Sequence, residues 1–141
     1  MKKNLLITGL LVLAFCAASS LSANPTDQAI ERIRSCTRTA IAEIQELTAA
    51  VENIRTVEDA LGSLDRYYAI VTRMINEINN IDRELSANVD TRRLRASVDD
   101  IKRQTQTAGQ TYGTALGKLP QAILSADRFV SALQRLKDLG M

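Results

Sequence analysis

Histidine is absent from this chain of 141 residues. That removes the commonest general base, metal ligand and physiological-pH switch at once. Cysteine occurs only as Cys16 and Cys36, so there is no pair spaced for zinc or iron–sulfur binding and no haem-attachment motif. A phosphate-binding glycine loop is missing too, as is the carboxylate–histidine spacing of di-iron bundles. Carboxylates do occur side by side, at Glu58-Asp59 and Asp99-Asp100. Neighbours on a helix point in different directions, so neither pair makes an acid–base couple. No residue is left as a catalytic, cofactor-binding or metal-ligating candidate, and the sequence argues against an enzyme.

Long apolar runs are scarce as well. The only one is Leu5–Phe15, preceded by Met1-Lys2-Lys3-Asn4 and followed by small and polar residues through Ala23. It is too short to span a bilayer, and a basic start with a small-residue tail predicts a secretory signal peptide over residues 1–23. Cleavage is expected after Ala23, with Ser20 and Ser22 as other positions. One bundle domain would then occupy residues 24–141 and work in the periplasm or outside the cell. Leu13-Ala14-Phe15-Cys16 resembles the bacterial lipoprotein signal, although Phe15 stands where a small residue is usual. That resemblance implies the alternative of an outer-membrane lipoprotein anchored at Cys16.

Loss of Lys2 and Lys3 leaves 16 basic against 16 acidic side chains. A neutral chain lacks the global positive field that drives nucleic-acid binding, so nucleic acid is not an expected partner. Cys36 would remain the one thiol, unable to close an intramolecular bridge. It is read either as a small packed residue or as the site of an intermolecular disulfide.

What the sequence has in quantity is helical periodicity. Asn24-Pro25 is a helix start, with Pro at the first helical position. Ile30, Ile33, Thr37, Ala40, Ile44, Leu47, Val51 and Ile54 then alternate steps of three and four, predicting a helix over about 25–55. Thr56 with Asp59 resembles a capping box opening a second helix over 57–87. Its expected seam is Leu61, Leu64, Tyr68, Val71, Ile75, Ile78 and Leu85, flanked by Ala60, Tyr67, Met74 and Ile81, with Asp82 falling on the seam. After a loop at Ser86–Asp90, a third helix over 91–117 carries the seam Leu94, Val98, Ile101, Thr105, Ala108, Tyr112, Ala115 and Leu119.

Gly117 and Pro120 end that helix, and a shorter one over 120–139 is expected to fold back with Ala122, Ala126, Phe129, Leu133 and Leu136 inward, stopping at Gly140. The second helix is net acidic and the third net basic, which favours them as antiparallel neighbours. The fold class is therefore all-α: an antiparallel up-and-down bundle of three long helices and a shorter C-terminal one, with coiled-coil-like packing.

Two surfaces stand out. Gly109, Gly113 and Gly117 recur every fourth residue, each costing about 1 kcal/mol against Ala in a helix interior. Such a face lets another backbone come close, whether from the bundle itself, a second copy or a membrane. Arg92, Arg93 and Arg95 crowd the start of the third helix, where the helix dipole disfavours positive charge. Their expected partners are Asp82, Glu84 and Asp90, with an anionic surface as the functional alternative. Together these features predict an exported bacterial interaction protein, an adaptor, chaperone-like protein or homo-oligomer, with a protein partner or a second copy. A peripheral membrane or lipid-binding envelope protein is the alternative.

Overall fold

The computed structural model describes residues 25–85 and 89–138. The signal segment, Cys16, Asn24, part of the loop before Asp90, and Gly140 lie outside them. Helix α1 spans Pro25–Ala50 and runs into a 3-10 turn at Val51–Asn53. Helix α2 is Val57–Leu85 and α3 is Thr91–Leu116; two short helices follow, α4 at Gln121–Leu124 and α5 at Asp127–Lys137. Among the described residues there is no strand, and the class is all-α as the periodicity requires.

The expected seam of α1 is buried along its whole length, from Ile30 and Ile33 through Thr37, Ala40, Ile44 and Leu47 to Val51 and Ile54. Small residues, Thr37 and Ala40 on that line and Ala29 beside it, let α1 pack closely against both long neighbours. Helix α2 returns antiparallel to it, with Arg32 paired to Glu77 and Glu84 and Arg73 paired to Glu43. Helix α3 then runs parallel to α1, as shown by the Asp90 N–H donating to Thr26 Oγ1 at 2.8 Å and by Arg93 bonded to Asp27.

Helical geometry in α1 stops before the expected position near Arg55, because Ile54 is extended at ψ 122°. That break lets Thr56 cap α2: its Oγ1 accepts the Asp59 N–H at 3.1 Å, and Asp59 Oδ2 accepts the Arg55 N–H at 3.3 Å. The inward line of α2 is rotated from the expected one. Ala60, Leu64, Tyr67, Ile70, Val71 and Ile81 are buried, while Tyr68 and Ile75 are 44% and 38% exposed. Both lines fit steps of three and four, but the observed one leaves Asp82 in water.

The anticipated pairing of α2 with α3 by charge does not occur. Among the described residues the ion pairs join α1 to α2, α1 to α3, and α5 to α2. The two helices meet instead through large side chains. Tyr67 and Tyr112 stack with centroids 4.7 Å apart, and the Ser63 and Tyr112 hydroxyls share a 2.6 Å hydrogen bond.

The chain after Pro120 folds back along α2, with Arg128 reaching Glu58. It does so as two pieces and not as one helix over 120–139, because Ala126 is extended at ψ 128°. Six residues advance a helix by about 240°. An unbroken helix therefore could not bury both Ile123 and Phe129, as the break does. Ala122, expected inward, is exposed. The core consequently has two parts. A large one holds Ile44, Leu64, Tyr67, Tyr112, Leu116 and Phe129, and a small one holds Ala29, Ile33, Ile81 and Ile101.

Candidate functional site

Helix α5 covers the α2 side of the larger core and leaves the opposite side, between α1 and α3, open. There the surface forms a groove of about 920 Å³. Its floor is Val51, Ile54, Ala115 and Leu119, its walls are Gln45, Thr48 and Ala49 on α1 and Thr107, Gln110, Thr111 and Thr114 on α3, and Glu52, Arg55, Lys118 and Pro120 line it as well. The threonines are less polar than they read. Thr48 donates its hydroxyl to the Ile44 carbonyl, Thr107 to Arg103, Thr111 to Thr107 and Thr114 to Gln110, at 2.8 to 3.0 Å. With each hydroxyl turned back on its own helix, the side chains offer methyl groups and little free hydrogen-bonding capacity.

The sequence reading missed this groove, and a signal for it was present. Gln104–Gly117 holds no Asp, Glu, Lys or Arg, although Gln104, Gln106, Thr107, Gln110, Thr111 and Thr114 are all exposed. Depletion of charge is what sets the core of a contact surface apart from ordinary protein surface.

The glycine ladder lies on the other flank of α3. A Cβ built on Gly113 would meet nothing within 4 Å, and one on Gly117 would meet only α3 carbonyl oxygens at 3.4 and 3.6 Å. Packing of the bundle's own backbone at these two glycines is therefore ruled out by the geometry. The cause is the Tyr67–Tyr112 stack, which meets α2 through rings and spaces the two helices apart. Gly117 is right-handed at φ −63°, so the end of α3 makes no use of glycine's conformational freedom. Gly109 is half-buried beside Ala108, which packs on the larger core.

The arginines also find partners other than those expected. Asp90 caps α3, its Oδ1 accepting the N–H groups of Arg92 and Arg93 at 3.1 and 3.3 Å. Arg93 bonds Asp27 across to α1 at 2.8 Å, and Glu84 is taken by Arg32. Arg92 and Arg95 are exposed, make no ion pair among the described residues, and line a hollow of about 390 Å³ with Thr91, Ala96 and Asp99. Cys36 is half-buried, and burial pushes its thiol up, so the reactive thiolate is disfavoured.

Among the described residues, no group of three or more Cys, Asp or Glu gathers as metal ligands, and no helix is long and apolar enough to cross a membrane. No protein-family model, curated protein or solved structure matches the chain.

Proposed function

We propose that this chain is an exported bacterial helical bundle that acts by contact and not by catalysis, as a periplasmic or secreted adaptor, chaperone-like protein or self-associating unit. The observation that carries the reading is the α1–α3 groove, a largely methyl-lined surface in which Glu52, Arg55 and Lys118 are the charged side chains, on an otherwise well-charged chain. Surfaces of this composition are suited to covering by another polypeptide, because most of the area desolvated is methyl groups and few charges lose their water. Export is supported by the composition of Met1–Ala23 and is checked by fractionating cells and reading the N-terminus of the processed chain. The contact is tested with a photo-crosslinker at Gln110, on the groove wall, in cells that make the protein. Covalent products with another chain are expected, and only intramolecular products would overturn the reading.

Arg92 and Arg95 support a second reading, attachment to an anionic lipid surface. Co-sedimentation with acidic vesicles that is lost in high salt supports it, and absence of binding at low salt removes it.

A further inference from the structure

We infer that the α1–α3 groove receives a helix of a different protein, with an apolar contact face and carboxylates about four turns apart at its two ends. The inference rests on the contact reading above and names the chemistry of its partner.

The form of the occupant follows from what the groove offers a backbone. A peptide laid along it in extended form would turn N–H and C=O groups toward the two walls. The walls hold few partners for them. The hydroxyl protons of Thr48, Thr107, Thr111 and Thr114 are all used on their own helices. Midway along the groove the Gln45 and Gln110 amides are the side-chain groups left unbonded among the described residues. Covering backbone groups without partners is unfavourable, whereas a helix satisfies them within itself and presents side chains alone. The small side chains of both walls let such a helix approach the floor closely.

The ends of the groove fix the partner's charge. Glu52, Arg55 and Lys118 line one end. At the other, Arg38 lies two turns before Gln45 on α1, and Asp100 and Arg103 lie two turns and one turn before Thr107 on α3. The hydrogen bond from Asp90 to Thr26 joins positions 64 apart in sequence. Arg38 and Arg103 keep nearly the same separation, so they stand within about 2 Å of one height on opposite walls. All six side chains are exposed, and none makes an ion pair among the described residues.

Asp100 offsets Arg38, and Glu52 offsets Lys118, each across the groove at a matching height. Arg103 is left over at one end and Arg55 at the other. Arg55 donates one guanidinium nitrogen to the Glu52 and Ile54 carbonyls and keeps its charge unpaired. Residues 24–141 are neutral as a whole, so a positive surplus at both limits of one groove belongs to this face. The same face of a second copy would bring like surplus to like, which favours a different chain. From Arg103 to Lys118 is about 22 Å, or four helical turns, and the partner's carboxylates match that span.

The test is a fluorescence-anisotropy titration of the purified protein with three synthetic peptides of about 18 residues. One is an alanine–leucine helix with glutamates four turns apart, one carries lysines in their place, and one is the glutamate sequence broken by two central prolines. The acidic helix should bind with Kd of about 100 µM or tighter, roughly tenfold tighter than the lysine helix, and the proline peptide should not bind. Arg103→Glu should erase most of that preference. Thr111→Arg should weaken the acidic helix although it adds positive charge, because it fills the groove; circular dichroism checks that both variants fold. Equal binding of the acidic and lysine helices, equal binding of the proline peptide, or tighter acidic binding by Thr111→Arg overturns the inference. No peptide binding at about 1 mM, while Gln110 still crosslinks to another protein or to a second copy, overturns it and leaves the contact reading standing. Loss of every intermolecular product overturns both.

Discussion

Where α1 hands over to α2, four helices share a core of Ile44, Leu64, Tyr67, Tyr112, Leu116 and Phe129; where α2 gives way to α3, the buried cluster among the described residues is Ala29, Ile33, Ile81 and Ile101. The difference follows from length. Helix α5 has 11 residues and reaches about 16 Å along α2, whose 29 residues extend about 44 Å. Beyond that reach the bundle has three helices, and Ile75 is left partly exposed. The thin end relies on Arg32 with Glu77 and Glu84 and on Arg93 with Asp27, with side chains 40% to 58% exposed. Pairs of that exposure contribute about 0–1 kcal/mol each. Burial among the described residues therefore concentrates at the end that carries the groove.

The strongest challenge to this contrast is truncation at each end. Phe129→Ala removes a fully buried ring shared by α5 and the larger core, and should cost about 3–5 kcal/mol in denaturant unfolding. Ile81→Ala, equally buried at the thin end, should cost about 2–3 kcal/mol, since fewer neighbours hold a cavity open there. An Ile81 cost equal to the Phe129 cost would erase the contrast.

Tyr112→Phe leaves the Ser63 hydroxyl without its partner and should cost about 1 kcal/mol. It should also flatten the alkaline limb. Burial pushes the Tyr112 hydroxyl up to about 12 against the opposing pull of Ser63, so the folded protein holds that proton longer than the unfolded chain does. The associated stability is complete below pH 10 and is lost as pH rises toward 12. Unfolding midpoints across that range, with and without the hydroxyl, check it.

At the joint between the two cores, Thr37 Oγ1 is buried with no oxygen or nitrogen partner among the described residues, beside the weakly bonding thiol of Cys36. Thr37→Val should raise stability by about 0.5–1 kcal/mol, read as a higher denaturant midpoint at unchanged slope. A gain of the same size, about 0.5–1 kcal/mol, is expected for Gly113→Ala, where the added methyl meets open space and the helix loses a weak former. Destabilisation there would mean that something does pack against the ladder.

The bundle was legible in the sequence wherever one hydrophobic line stood alone. On α1 only one line runs from Ile30 to Ile54, and all of it is buried. On α2 two lines a position apart both satisfy the helical repeat. Choosing between them needed the knowledge that α1, and not α3, is the close neighbour. The position of the groove was hidden because threonine reads as polar. Only the backbone shows that Thr107, Thr111 and Thr114 turn their hydroxyls inward on their own helix. The glycines misled for the opposite reason: spacing marks a face without saying what occupies it, and Gly113 faces none of the described residues.

The most direct measurement places the same photo-crosslinker in turn at Gln110 on the groove, at Gly113 on the glycine flank and at Arg92 on the thin end, and compares the products in cells. Intermolecular products are expected from Gln110 alone. Products from Gly113 or Arg92 with none from Gln110 would contradict the assignment of the contact to the α1–α3 face.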